Sequence, residues 1–203
     1  MKKTLAVERK EKEMERTCLA VEIPTNLDKA GGLVREAALF AADAHRGVLR
    51  KDKKTPYVMH PFRVCEALLG IFGVKDEKVL AAALLHDTME DTGTDYDDLE
   101  KFFGCEVATM VALMSEDKRK PEAIRRALYL SQLKSSPVMV KLIKLADVYD
   151  NTKDAYGVGC AQFVKKTLAK GREYIETFKG STDYKLCQAM SVVDALLRTK
   201  TNE

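Results

Sequence analysis

Long apolar runs are missing from this chain of 203 residues. The longest strongly apolar segment, Val79 to Leu85, falls far short of the roughly 20 residues that a helix needs to cross a bilayer. Met1, Lys2 and Lys3 lead into further charged residues rather than a signal-peptide core, so the expectation is a cytoplasmic protein with no membrane partner. Cysteine is sparse. The five residues Cys18, Cys65, Cys105, Cys160 and Cys187 are odd in number and never form a close pair, which argues against a disulfide framework or a zinc knuckle and predicts reduced, mostly buried thiols. A large excess of one charge is also lacking. The formal net charge of +3 is too mild to imply a nucleic-acid partner, yet it suits basic groups gathered around an anionic small molecule. Strand-like alternation is scarce, and no internal repeat or low-complexity tract stands out.

What is present is helical periodicity. Apolar residues recur at three and four positions in Leu33 to Ala44, Pro61 to Ile71, Val79 to Leu85, Val107 to Met114, Ile124 to Leu133, Val138 to Val148 and Leu186 to Leu197, the spacing of one helix face. Pro24, Gly31-Gly32, Gly73, Gly93, Gly104, Pro121, Pro137, Gly157, Gly159 and Gly180 fall between these segments, and Asp76 and Asp95 stand where N-caps are expected. The pattern predicts an all-α, single-domain helical bundle. With 46% hydrophobic residues, a chain of this length buries one good core and not two large ones. Residues 1–24 are charge-dense without a sustained apolar stripe; they are expected to form an extension to a domain over 25–203, and the oligomeric state is left open.

Chemistry concentrates in Leu84-Leu85-His86-Asp87-Thr88-Met89-Glu90-Asp91. At about 3.6 residues per turn, one continuous helix places Glu90 on the face of His86 and Asp91 on that of Asp87, while His86 and Asp87 can still reach one ion between them. A capped helix end with solvated acids is the plainer alternative. An imidazole behind Ala81-Ala82-Ala83-Leu84-Leu85 nevertheless needs a partner, and metal is a common one. The chain holds three histidines, so the search is small. His60 lies between Pro56 and Pro61 at a rigid helix entrance. His45, at the end of an apolar helix, is expected to be structural or supporting rather than a ligand. Asp147 breaks the apolar face of Val140 to Val148 and calls for an ion or cation partner; Asn151 follows one turn later.

In order, Arg50-Lys51, Thr55-Pro56-Tyr57 with His60-Pro61, Ala82-Ala83-Leu84-Leu85-His86-Asp87-Thr88 with Glu90-Asp91, Phe103-Gly104, and Lys144-Leu145-Ala146-Asp147 with Asn151 resemble the hydrolase domain of Rel/SpoT-type alarmone enzymes in the HD phosphohydrolase superfamily. The resemblance spans about residues 33–180 and leaves no room for a synthetase domain, as in the stand-alone small alarmone hydrolases. It implies Mn²⁺-dependent removal of the 3′-pyrophosphate from ppGpp or pppGpp, with one ion held by His60, His86, Asp87 and Asp147. Glu90 and Asp91 are implied as the catalytic acids, with their acid and base roles unassigned. Arg50, Lys51, Asn151 and Tyr174 match substrate-binding positions, and Lys118, Arg125 and Arg126 are candidates for screening the 5′-phosphates. ppApp and NADPH remain as alternative substrates, and a nucleotide-binding sensor without turnover remains as an alternative of another class.

Two departures mark this chain. Val148 stands where many relatives carry a basic residue after Leu-Ala-Asp, and Asp150 adds a negative charge directly before Asn151. Together they are expected to make the site more acidic. Met89 in place of a common valine is a conservative packing change.

Overall fold

The computed structural model describes residues 21–199, so most of the expected N-terminal extension lies outside the described residues. Within the described part, Val21 and Ile23 already pack against the core. Eleven α-helices occur among the described residues: α1 (Thr25–Asp28), α2 (Gly32–Ala44), α3 (Met59–Gly70), α4 (Glu77–Leu85), α5 (Thr88–Asp91), α6 (Tyr96–Phe103), α7 (Cys105–Met114), α8 (Glu122–Ser135), α9 (Val138–Ala155), α10 (Ala161–Phe178) and α11 (Tyr184–Thr199). The only strand-like feature among them is an isolated antiparallel bridge between Leu49 and Pro56. The all-α expectation is borne out.

Local chemistry sets the boundaries. Asp76 caps α4 by accepting from the Lys78 and Val79 amides, and Asp95 with Asp98 forms a reciprocal capping box on α6, each satisfying donors that a helix start leaves free. Helices α8 and α9 begin directly after Pro121 and Pro137, whose fixed φ suits a helix entrance. Gly104 separates α6 from α7 at φ 83°, a conformation that glycine adopts without steric cost.

Two helices organise the core. Every residue from Val79 to Leu85 is buried, because α4 is packed by α2, α3, α7 and α9; a helix covered on all sides is apolar on all sides. Helix α9 is the longer spine, contacting α3, α4, α10 and α11. Its neighbour α10 approaches closely at Gly171, where an added Cβ would stand 2.8 Å from a Leu197 methyl and 3.1 Å from one of Val148. The start of α3, the link after α4 and the middle of α9 thus meet in one place, and the polar residues they bring together are His60, His86 and Asp147.

Candidate active site

His60 is the second residue of α3, with Pro61 in the first turn. Its Nε2 lies 3.2 Å from Asp147 Oδ1 and 3.6 Å from Asp87 Oδ2. Helix α4 stops at Leu85, and His86 and Asp87 form the link to α5. The continuous helix expected across this motif is therefore interrupted, although both linking residues keep right-handed helical backbone angles. The break lets Asp87 fold back beside its neighbour, with Oδ1 3.1 Å from His86 Nε2. Asp147 Oδ1 is 3.9 Å from the same nitrogen.

One donor atom from each of His60, His86 and Asp147 falls within 4.8 Å of the others, and all three residues are buried. Both imidazoles are oriented from behind. The Ala83 carbonyl accepts from His86 Nδ1 at 2.8 Å, and Asp150 Oδ2 accepts from His60 Nδ1 at 2.7 Å. Each Nε2 is thereby left facing the cluster. Nε2 of His86 is buried without a well-formed hydrogen bond, and its polar neighbours are the carboxylate oxygens of Asp87 and Asp147, a setting that a cation placed between them would satisfy. Two imidazoles with adjacent carboxylates suit a borderline divalent ion. The cluster can bind a metal ion.

Its electrostatics are tightly balanced. Burial works to lower both histidines, but Asp87 and Asp147 lift His86 to about 9, while Asp147 and Asp150 raise His60. Burial would raise Asp147, yet Lys144 and the two histidines hold it well below the usual carboxylate range.

The two acids that follow face different spaces. Glu90 is half-buried, and its Oε1 accepts from the Glu116 amide at 2.6 Å. Burial raises its pKa above that of an ordinary glutamate. Glu90 lines a cavity of about 420 Å³ with Asp87, Asp147, Lys144, Lys51 and Tyr174. Asp91 instead borders a second cavity of about 410 Å³, with Arg50, Tyr57, Asp154 and Val158. Lys51, Asn151 and Phe163 line both. Tyr57 ties the two sides together: its Oη lies 2.7 Å from Asp87 Oδ2 and 3.1 Å from Asp91 Oδ2. Burial, and then Asp87, raise its pKa and keep the phenol protonated.

The basic positions fall into two groups. Lys51, Lys144, Lys166 and Lys170 line the first cavity. Burial and then neighbouring cations lower Lys51 and Lys170, the direction that desolvation and like charge give a lysine. Lys51 Nζ lies over the Phe163 ring at 4.1 Å, and Lys144 over Tyr174 at 4.8 Å. Arg50 hydrogen-bonds Asp154 and Asn151, both at 3.0 Å, and Asn151 in turn donates to Asp147. Tyr174 is buried, with its hydroxyl 2.6 Å from Arg126 Nη1.

The second group is neutralised within the chain. Lys118 binds Asp91 and the Glu90 carbonyl, Arg125 binds Glu116, and Arg126 binds Glu173. These three cations are already paired with acids of the chain and brace the walls. Asp150 departs from its expected effect too. Its carboxylate does not line either cavity but turns to His60 and Arg63, so it does not add acidity to the pocket. His45 caps α2, stacks 4.6 Å from Tyr57, and stays outside the three-residue cluster.

Sequence reasoning gave no role to Lys144, Lys166, Lys170, Tyr57 or Arg63. A signal existed for the lysines: Lys144 precedes Asp147 by three residues, and Lys166 and Lys170 are four apart, spacings that share a helix face. Arg63 carried no such signal, because its partners come from another helix.

This arrangement has counterparts. The chain belongs to the HD domain family, which matches residues 37–170. It is 42% identical over 123 residues to the guanosine-3′,5′-bis(diphosphate) 3′-pyrophosphohydrolase MESH1 of Xenopus tropicalis, covering 60% of this chain and 69% of that protein. The human MESH1 is 45% identical over 120 residues, covering 59% and 67%. Among solved structures, one described as a metazoan orthologue of SpoT that hydrolyses ppGpp and plays a role in starvation responses superposes with a TM-score of 0.74 at 32% identity, covering 84% of this chain and 96% of that one. The resemblance to small stand-alone alarmone hydrolases is borne out.

Proposed function

We propose that this chain is a Mn²⁺-dependent hydrolase that converts ppGpp to GDP, and pppGpp to GTP, with release of pyrophosphate. In this reading it acts in the cytoplasm and lowers alarmone in the stringent response. The observation that carries it is the juxtaposition, in one cavity, of the His60–His86–Asp147 cluster, the acid Glu90 and the four lysines Lys51, Lys144, Lys166 and Lys170. A substrate bearing several phosphates would meet Lys51, Lys166 and Lys170 there, while Lys144 is held by Asp147, beside an ion site. Similarity to the MESH1 hydrolases supports the same chemistry.

His60, His86, Asp87 and Asp147 would hold the ion. When bound, such an ion acts as a Lewis acid on the phosphate and acidifies a neighbouring water. Glu90 would orient that water and exchange a proton with it, a role suited to a carboxyl whose pKa is raised by burial. Asp91, tied to Tyr57 and Lys118, would fix the geometry on the other side. Arg50 lies 5.5 Å from the Tyr57 ring centre in the second cavity and would stack on the purine. Asn151 would meet the ribose between the cavities, and Tyr174 would flank the phosphates.

Purified protein with Mn²⁺ should release pyrophosphate from ppGpp, measured beside pyrophosphate release from ppApp and inorganic phosphate release from NADPH. Undetectable release at high concentrations of metal-loaded protein would sink the proposal. Faster turnover of ppApp or NADPH would reassign the substrate and leave the site chemistry standing.

A further inference from the structure

The charge at Asp150 is committed behind the site. Its side chain is 6% exposed, its Oδ2 lies 2.7 Å from His60 Nδ1, and Arg63 grips both carboxylate oxygens at 2.6 and 3.0 Å. Arg63 also reaches Asp154 Oδ2 at 3.1 Å. An anionic carboxylate only accepts hydrogen bonds, so the proton of a neutral His60 must sit on Nδ1 and the lone pair on Nε2. That nitrogen is the one 3.2 Å from Asp147 Oδ1. The two histidines of the cluster are thus backed differently: His86 by a neutral peptide carbonyl, and His60 by a carboxylate clamped in place by a guanidinium.

We infer that Asp150, clamped by Arg63, is the positioning residue that sets the tautomer and ring orientation of His60 and so tunes the affinity of the site for its divalent ion. Asp150 lines neither cavity. It acts through the ring of His60, because a carboxylate acceptor makes the opposite imidazole nitrogen a better donor to metal than a carbonyl does. Arg63 keeps the carboxylate oriented and offsets its burial. This inference rests on the metal-site reading above.

The test is a titration of metal-free protein with Mn²⁺, following free ion by electron paramagnetic resonance, for the wild type and Asp150→Asn, with melting in chelator as a check on folding. The isosteric amide keeps the shape and one acceptor but not the charge. We expect folded Asp150→Asn to bind Mn²⁺ about ten- to a hundredfold more weakly, the usual scale for losing such a support. Wild-type affinity in the folded variant would overturn the inference and leave the metal site intact, whereas failure of the wild type to bind Mn²⁺ would overturn both. If Asp150→Asn does not fold, the zinc-loaded wild type decides by nuclear magnetic resonance. The Nδ1 proton of His60 should resonate further downfield than that of His86, and the reverse order would refute a carboxylate-backed His60.

Discussion

Lys144 Nζ stands 2.9 Å from Asp147 Oδ2, one helical turn before it on α9. Both side chains are nearly buried, at 12% and 10% exposure, so the pair shares a low-dielectric environment in which removing one partner leaves the other uncompensated. In metal-free protein, Lys144→Met should lower stability by about 3 kcal/mol, the lower end of the range for a broken buried pair. Urea denaturation in chelator measures this; an unchanged midpoint and slope would mean that the histidines alone balance Asp147.

Asp147→Ala should abolish activity by losing the ion rather than by losing substrate. Metal content of the purified variant, by elemental analysis after loading with Mn²⁺ and gel filtration, is the readout. A wild-type stoichiometry would contradict the assignment of Asp147 as a ligand.

Glu90→Gln separates chemistry from metal binding. The variant should keep its ion and turn over at least about a hundredfold more slowly, the scale of lost acid/base assistance. The pH profile gives an independent sign. Burial raises the Glu90 pKa, so if its anion is required, wild-type activity should begin to fall, on acidification, at a higher pH than an ordinary glutamate would give. Near-normal turnover in the variant would remove Glu90 from the mechanism.

The thiols supply a chemical check on the fold. Cys65 is buried between α3 and α4, its Sγ 3.6 Å from the Leu80 carbonyl, and burial pushes it up to about 12. Cys105, Cys160 and Cys187 are exposed, contrary to the expectation of mostly buried thiols. A thiol reagent at pH 8 should label these three in the native state and Cys65 only on unfolding, read by mass spectrometry of digested protein. Rapid native labelling of Cys65 would mean that the α3–α4 contact opens.

Asp52 governs a different pH range. Hydrogen bonds from the Thr55 hydroxyl and amide and from the Lys54 amide lower it from 3.8 to about 2. A depressed carboxylate contributes stability that is present above pH 3.8 and is lost as the pH falls towards 2. The stability gap between the wild type and Asp52→Asn should therefore shrink across that interval, as followed by urea melts; a constant gap would show that these bonds do not hold the loop.

Where the sequence informs and where it falls silent follows from the range of the interactions involved. Helices such as α3, α4 and α9 announce themselves because their buried faces repeat at short spacing, and the ligand cluster because it sits in compact motifs. Helix α10 was missed. Its buried positions Leu168, Gly171, Tyr174, Ile175 and Phe178 are diluted by a glycine and by the lysines that face the cavity, so the apolar stripe is thin. The interruption at His86-Asp87 was equally hidden, since neither residue is a helix breaker by type. The sequence leads one to expect Asp150 to make the site more acidic, because the partners that take up its charge, His60 and Arg63, are about ninety residues away. Lys118, Arg125 and Arg126 carry charge that any reader sees, but only tertiary contacts reveal that acids already occupy them.

The short connection that carries Arg50 and Lys51 has one further property. Arg50 N bonds the Thr55 carbonyl at 2.8 Å, Tyr57 N bonds that of Val48 at 2.9 Å, and Asp52 pins the turn between them. These backbone bonds lie within the segment itself, with Lys53 at φ 59° rounding its tip, while the Arg50 and Lys51 side chains reach out to α9 and α10. Such a self-bracing piece can be exchanged as a cassette: its tip can vary in length or charge while the helices on either side keep their register. If Arg50 and Lys51 contact the ligand as proposed, its recognition can diverge through a few residues of one loop, with no need to rebuild the helices beneath it.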